Sequence, residues 1–137
     1  VIGAIKAIQT YTKTLLQSDS ASIVLFSTVA TKLGMPFHAS VATAKSAIEG
    51  LTKSIAAELA TKIRVNAIAP TITDTDLAAK FLRNDRMVES TIQRHPLKKY
   101  LKPNEVAAMA TYLLSDLSKS ISGQVFNLDC GIVSLKL

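Results

Sequence analysis

Apolar residues recur along the chain at intervals that predict alternating helices and strands. Spacings of three and four predict helices over residues 1–17 and 39–60. In the second helix, Glu49 and Lys53 stand four residues apart, in the order that favours an ion pair on one helix face. The apolar stripe predicted for this helix consists of Ala44, Ala47, Ile48, Leu51, Ile55 and Leu59.

Short apolar runs predict three strands. The run "SIVLFS" at residues 22–27 is typical of a strand that is buried on both faces. The run "KIRVNAIA" at residues 62–69 predicts a second strand, which Pro70 ends, and "GQVFNLD" at residues 123–129 predicts a third. Because "SIVLFS" is too apolar for an exposed sheet edge, we expect an upstream segment or another chain to pair with it.

Two more segments have helical patterns. Residues 74–95 predict one or two shorter helices, and residues 103–116 predict a helix whose first turn suits Pro103 and Glu105. Strands that alternate with helices imply parallel pairing through right-handed crossovers. The predicted class is therefore α/β, with three parallel strands, flanking helices and a single domain.

Composition narrows the possible functions. The chain has 137 residues, of which 48% are hydrophobic, and this argues against disorder. No run approaches the roughly 20 apolar residues of a membrane span. A single cysteine, Cys130, cannot form an internal disulfide, which favours a cytoplasmic location. The net charge of +6 is scattered except at residues 94–102, and aromatics are sparse, so we expect no nucleic-acid partner. We interpret this basic segment as a solvated loop, with an anion site as the alternative.

Three stretches resemble one enzyme family in the right order. They are "KSAIEGLTKSIAAELATKIRVNAIAPTITDT" at residues 45–75, "RHPLKKYLKPNEVAAMATYLLSD" at residues 94–116 and "ISGQVFNLDCG" at residues 121–131. Together they resemble the carboxyl-terminal half of the short-chain dehydrogenase/reductase family, a Rossmann-type doubly wound parallel sheet. The sequence contains no G-x-x-x-G-x-G turn for a dinucleotide. We therefore expect residues 1–137 to be one partial domain without the glycine-rich amino-terminal half, preceded by further residues.

The resemblance implies hydride transfer between NAD or NADP and a carbonyl or alcohol. Lys45 matches the family's lysine, which lowers the pKa of a tyrosine and holds the nicotinamide ribose. Val41 occupies the tyrosine position four residues earlier and cannot exchange a proton. The serine position falls on Thr28, with the adjacent Ser27 as the alternative. Without the family, Lys45 would be interpreted as pairing with Glu49 on a solvated helix face.

The segment "PTITDT" at residues 70–75 resembles the family's loop that contacts the nicotinamide amide. The resemblance implies that Pro70, Thr71, Thr73 and Thr75 bind the cofactor, with Thr71 standing where the family has glycine. Thr75 also suits the N-cap of the following helix. Residues of roughly 74–100 would form the substrate loop, and no metal site is expected.

Other residues could replace the missing proton donor. His38 has a suitable unperturbed pKa, but it stands seven residues from Lys45, about 10 Å along a helix, so we interpret it as a loop or cap residue. Ser40 is next to Val41 but points about 100° away around the helix. Cys130 stands where the family usually has glycine, and we expect a buried structural thiol there.

Three hypotheses about function follow from these patterns. In the first, the chain supplies the lysine, the nicotinamide loop and the substrate loop of an oxidoreductase, and is inactive alone. The alternative is a non-catalytic cofactor-binding or oligomeric scaffold protein. The third hypothesis is a natural half-protein that works with a separate partner.

The resemblance also implies a homo-oligomer, dimer or tetramer, built on the two long helices, in which Ala42, Ala56 and Ala57 would allow close packing.

Overall fold

A single sheet of three parallel strands organises the fold, as a computed structural model of residues 1–136 shows. The strands are β1 (Ala21–Phe26), β2 (Ile63–Pro70) and β3 (Val125–Leu128), in the order β1–β2–β3. Both neighbouring pairs are parallel, with Phe26 opposite Ile68 and Ile68 opposite Phe126. The predicted α/β class with three parallel strands is confirmed.

Four helices connect or flank the strands. They are α1 (Ile2–Leu15), α2 (Ala39–Glu58), α3 (Asp85–Arg94) and α4 (Pro103–Leu114), with 3₁₀ turns at Val29–Thr31, Asp76–Phe81 and Asp116–Ser118. The segment predicted to hold one or two shorter helices contains the second 3₁₀ turn and α3. Pro103 is the first residue of α4, and the Glu105 carboxylate accepts a hydrogen bond from the Lys102 backbone N–H at 2.8 Å. The predicted start of this helix is therefore confirmed.

Successive strand residues point to opposite faces of the sheet, and different helices pack on the two faces. Ala21, Ile63 and Val65 are buried on one face against α1 and α2. Ala56 of α2 belongs to the same cluster, so its small side chain faces this core and is not available for the helix contacts expected of an oligomer. On the other face, the Ser22 hydroxyl donates to the Leu113 carbonyl at the end of α4, 2.9 Å away.

Burial shows that β2 is the central strand. The side chains of Ile63, Val65, Ala67, Ile68 and Ala69 are all 0% exposed, as expected for a strand covered on both faces. The strand predicted to be buried in this way was β1, and that prediction is wrong for the described residues. Most of β1 is half-buried and Phe26 is exposed, because β1 forms an edge of the sheet with β2 as its one strand partner among residues 1–136.

The apolar stripe of α2 is narrower than its periodicity predicts. Ile48 is buried and Leu51, Ile55 and Leu59 are half-buried, but Ala44 and Ala47 are exposed. Both exposed alanines lie in the amino-terminal half of the helix. Within residues 1–136, no helix is both long and apolar enough to cross a membrane.

Arg64 fixes the end of α4 to the amino end of β2. Its guanidinium donates to the carbonyls of Leu113, Ser115 and Ser118, at 2.8, 3.1 and 3.1 Å, and to the Ser118 hydroxyl at 2.7 Å. These acceptors include carbonyls that a helix end leaves without intrahelical partners. The planar fork of arginine can satisfy several of them at once.

Candidate functional site

The carboxyl ends of all three strands lie at one edge of the sheet, because the strands are parallel. Ser27 follows β1, Thr71 follows β2 and Asp129 follows β3. The Ser27 backbone N–H donates to the Ile68 carbonyl at 2.7 Å, and the Thr71 N–H donates to the Leu128 carbonyl at 2.9 Å. In open α/β sheets this edge is where ligands bind. It therefore contains the candidate site.

Lys45 reaches this edge from α2. Its Nζ atom donates a hydrogen bond to the backbone carbonyl oxygen of Phe26 at 2.8 Å, which places the ammonium at the end of β1. No carboxylate of the described residues pairs with Lys45. The interpretation of Lys45 as a surface partner of Glu49 is therefore wrong.

Glu49, one turn after Lys45, is buried beneath the site. Its Oε1 atom accepts hydrogen bonds from the Ser27 hydroxyl at 2.7 Å and the Thr31 hydroxyl at 2.6 Å, and its Oε2 atom pairs with Lys32 Nζ at 2.9 Å. The predicted pairing of Glu49 with Lys53 is wrong, because the turn after β1 brings Lys32 to the same carboxylate. Burial favours a raised pKa for Glu49, but the hydrogen bonds from Thr31, Lys32 and Ser27 and the Lys32 charge together bring that pKa below its ordinary value.

These contacts distinguish the two residues proposed for the serine position. The Ser27 side chain is buried and its hydroxyl hydrogen is directed to Glu49. Thr28 is the N-cap residue of the 3₁₀ turn Val29–Thr31, where its Oγ1 atom accepts a long hydrogen bond of 3.4 Å from the Ala30 N–H. The Thr28 hydroxyl donates to no acceptor within residues 1–136. It is therefore the one of the pair that is able to donate to a ligand.

Val41 lies in the first turn of α2, four residues before Lys45. Its side chain is 46% exposed, so the position that the family pattern assigns to tyrosine is open to solvent. His38 is the N-cap residue of α2 but does not cap the helix with its side chain. Its Nδ1 atom lies 2.7 Å from the Pro36 carbonyl oxygen and donates to it, because a carbonyl can only accept.

The loop of residues 70–75 is held on two sides by backbone hydrogen bonds. Besides the bond from Thr71 to β3, the Leu101 N–H donates to the Ile72 carbonyl at 3.1 Å and the Asp74 N–H donates to the Leu101 carbonyl at 2.9 Å. The Thr73 hydroxyl donates to the Thr71 carbonyl at 3.0 Å. A loop fixed in this way presents a defined set of backbone and hydroxyl groups.

Thr75 occupies the N-cap position of the 3₁₀ turn Asp76–Phe81, as predicted, but its side chain does not cap the turn. Its hydroxyl donates backwards to the Thr73 carbonyl at 3.3 Å instead. The expectation of side-chain capping is therefore wrong. The hydroxyl oxygen keeps a lone pair that can accept from a ligand.

His95 is a part of this edge that the sequence patterns did not indicate. The residue follows α3 and is 2% exposed. Its Nε2 atom lies 2.8 Å from Thr71 Oγ1, and its Nδ1 atom lies 2.7 Å from the Thr91 carbonyl oxygen. The two partners of the first contact are 24 residues apart, so no local spacing could have revealed it.

Two lysines of the basic segment at residues 94–102 form ion pairs at the surface. Lys99 forms an ion pair with Glu105, and Lys102 forms one with Asp74 at 2.7 Å. Hydrogen bonding to these carboxylates raises the pKa of both lysines. Lys98, Lys99 and Lys102 are exposed, as the interpretation of a solvated loop expects, but His95 and Leu101 of the same segment are buried. Among residues 1–136, no group of three or more His, Cys, Asp or Glu side chains is arranged to hold a metal ion.

Comparisons with known proteins match this arrangement over nearly the whole chain. A family model described as "Enoyl-(Acyl carrier protein) reductase" matches residues 1–133. The 3-oxoacyl-[acyl-carrier-protein] reductase FabG of Thermotoga maritima is 36% identical over 132 residues, which are 96% of this chain and 53% of that protein. A tropinone reductase homolog of Datura stramonium is 38% identical over 118 residues, 83% of this chain and 44% of that protein. A short-chain type dehydrogenase/reductase of Mycobacterium ulcerans superposes with a TM-score of 0.90 at 28% identity, covering 97% of this chain and 49% of that one.

The chain belongs to the short-chain dehydrogenase/reductase family. It spans about half the length of the curated relatives that it matches. Its three-stranded sheet and flanking helices correspond to the Rossmann-type fold of its short-chain dehydrogenase/reductase neighbours. The predicted family and fold class are both confirmed.

Cys130 is buried as expected, with 7% exposure, and it has a positive φ of 52°. A residue in this left-handed region is unusual unless it is glycine. This agrees with the position of Cys130 in the short-chain dehydrogenase/reductase pattern, where glycine is usual. Burial raises the pKa of the Cys130 thiol.

Proposed function

We propose that the chain forms the carboxyl-terminal half of an NAD- or NADP-dependent oxidoreductase that acts on a carbonyl or alcohol. The observation that carries this proposal is that Lys45, Thr28 and the loop of residues 70–75 all lie at the carboxyl edge of the sheet. In this proposal residues 1–137 are one partial domain. The pyrophosphate would be held by a glycine-rich half outside them.

The side chains fit a nicotinamide nucleotide at this edge. Lys45 gives one N–H to the Phe26 carbonyl, and its ammonium has two more to offer to the ribose hydroxyls. Pro70, Thr71, Thr73 and Thr75 belong to the loop that would contact the nicotinamide amide. The nicotinamide supplies or accepts the hydride when it is bound.

Thr28 would bind the substrate oxygen. Its hydroxyl donates to a carbonyl oxygen and polarises that bond, which favours the addition of hydride to the carbon. Ser27 would not bind the substrate oxygen itself, because its hydroxyl already donates to the Glu49 carboxylate. The segment of residues 74–100, containing α3, would form the wall that selects the substrate.

The proposed reaction lacks an evident proton donor. Reduction of a carbonyl adds a proton to the oxygen, and the Val41 side chain cannot act as a general acid. Loss of a general acid typically lowers the rate by roughly 10²–10⁴-fold. A bound water, His38 or a group of the substrate would have to supply the proton, so we expect slow turnover.

A non-catalytic protein of the same fold is the second candidate. The observation that favours it is Val41, since a valine at the proton-transfer position leaves cofactor binding intact while removing the chemistry. Such a protein would bind NAD or NADP, or serve as an oligomeric scaffold, without turnover.

The assembly and location belong to the same proposal. We propose a cytoplasmic homo-oligomer, a dimer or tetramer, in which α1 and α2 form the interface. An apolar groove lies between these helices, lined by Ile5, Ile8, Leu51, Ile55 and Leu59 among others. On α1, Ile2 and Tyr11 are 71% and 62% exposed. A monomer in size-exclusion chromatography with light scattering would contradict this part.

The test is a calorimetric titration of the protein, as its source produces it, with NADH and with NADPH. We expect binding of at least one, and weaker binding by the Lys45→Met variant. Lys53→Met is the matched control, because Lys53 lies two turns later on the same helix and is exposed. Failure of the natural protein to bind either nucleotide would contradict the proposal. Equal losses in the two variants would contradict the role of Lys45.

A further inference from the structure

Thr71 and His95 form a buried contact between the loop of residues 70–75 and the end of α3. Thr71 is 9% exposed and His95 is 2% exposed. Thr71 Oγ1 and His95 Nε2 lie 2.8 Å apart. Two polar groups buried together stabilise the fold only when they are paired, so the contact is an obligatory one.

The second ring nitrogen sets the direction of this hydrogen bond. His95 Nδ1 lies 2.7 Å from the Thr91 carbonyl oxygen, which can only accept. Nδ1 therefore carries a hydrogen, and in the neutral ring Nε2 is left as an acceptor. The Thr71 hydroxyl must then donate to His95, which fixes the rotation of the threonine side chain.

The contact differs from the others that hold this loop. Backbone hydrogen bonds join the loop to Leu128 on one side and to Leu101 on the other. Asp74 and Lys102 form an ion pair that is exposed to solvent. Among the described residues, Thr71–His95 is the side-chain hydrogen bond that joins the loop to the end of α3.

We propose that His95 is a positioning residue that orients Thr71, and through it the backbone of the loop, for contact with the nicotinamide ring. The contact also ties α3, in the proposed substrate segment, to the cofactor loop. This inference rests on the proposed function and adds a residue to its site.

The test uses variants of the two partners in the natural protein. Thr71→Val removes the hydroxyl at nearly constant shape, and His95→Leu removes the ring acceptor. His95→Gln keeps an amide oxygen that can accept from Thr71. Thr52→Val is the matched control, because it removes the hydroxyl of a fully buried threonine on α2 that contacts neither Thr71 nor His95.

Two measurements separate positioning from general stability. The first is the affinity for NADH compared with ADP-ribose, which lacks the nicotinamide ring. The second is amide hydrogen exchange of residues 72–75 without any nucleotide. Thr71→Val and His95→Leu should each weaken NADH binding by roughly two- to tenfold, leave ADP-ribose binding unchanged and accelerate exchange in the loop. The double variant should lose no more than either single variant, and His95→Gln should recover part of the loss.

The remaining outcomes each decide the question. Unchanged NADH affinity and loop exchange in His95→Leu would overturn the inference and leave the proposed function standing. Equal losses for NADH and ADP-ribose, or losses of the same size in Thr52→Val, would also overturn it. If the natural protein binds neither nucleotide, the proposed function and the nicotinamide role of His95 both fail. Hydrogen exchange then shows separately whether His95 holds the loop.

Discussion

Lys45 Nζ donates to the Phe26 carbonyl oxygen across 2.8 Å, so a backbone group holds this ammonium at the end of β1. A carboxylate in the same place would neutralise the charge. A carbonyl orients the ammonium and leaves its full charge available to a neighbour. A phenol one helical turn earlier would lie on the same helix face, and the charge would favour its ionised form.

Replacing Val41 with tyrosine should therefore raise the reductase activity of the natural protein. We expect an increase of roughly 10²–10⁴-fold in kcat/KM on a panel of ketones, measured by NAD(P)H oxidation. Val41→Phe is the control, because it adds the ring without the hydroxyl and should leave activity unchanged. No rise in Val41→Tyr while the nucleotide still binds would show that the missing tyrosine is not what limits turnover.

The Glu49 carboxylate should make the stability of the fold depend on acid pH. Because its folded pKa lies below the ordinary value of 4.5, its contribution is present above about pH 4.5 and is lost as the pH falls through the folded pKa. Urea unfolding between pH 7 and pH 3 measures this loss. Glu49→Gln should cost about 1–3 kcal/mol at pH 7 and flatten the pH dependence.

Glu58→Gln is the control for this series, since Glu58 is exposed on the same helix. It should leave both the free energy of unfolding and its pH dependence nearly unchanged. A pH dependence in Glu49→Gln as steep as that of the parent would mean that other carboxylates cause the acid loss.

Two adjacent leucines at the end of α4 provide a matched test of the core. Leu113 is 0% exposed and Leu114 is 50% exposed. Leu113→Ala should lower the free energy of unfolding by about 2–5 kcal/mol, because it leaves a cavity beside the sheet. Leu114→Ala should change it by less than about 0.5 kcal/mol. Similar losses for the two variants in urea unfolding would show that α4 does not pack as described.

The Cys130 thiol should react slowly in the folded protein. Burial raises its pKa and so reduces the thiolate fraction, and it also limits access. We expect modification by a chromogenic disulfide at pH 8 to accelerate about tenfold or more in denaturant. The chain has one cysteine, so the signal reports this site alone. Equal rates in folded and unfolded protein would place Cys130 at the surface.

The elements and their order followed from the sequence, because hydrophobic periodicity is a local property. The helix predicted at residues 39–60 and the three strand segments depend on spacing within a few residues, and the structure confirms them, with α2 ending at Glu58. The parallel pairing followed from the alternation of these elements along the chain. Resemblance to the family identified Lys45 and the loop of residues 70–75 as candidates. The structure places both at the carboxyl edge of the sheet.

The partners of these residues could not be predicted in the same way. Glu49 was expected to pair with Lys53 on its own helix, but the chain reversal after β1 delivers Lys32 from 17 residues away. The hydrogen bond from Lys45 to Phe26 spans 19 residues. Side-chain partners depend on how elements dock, and a single sequence carries no direct signal of docking.

Arg64 and Thr71 stand at opposite ends of β2, roughly 23 Å apart along the strand. Arg64 secures the end of α4 at one end, while the other end bears the candidate site. Substitutions that reshape the loops around Thr71 would therefore leave the contacts of Arg64 with the carboxyl end of α4 intact. This separation would allow substitutions near Thr71 to change the substrate preference during evolution without loss of the contacts at Arg64 that stabilise the fold.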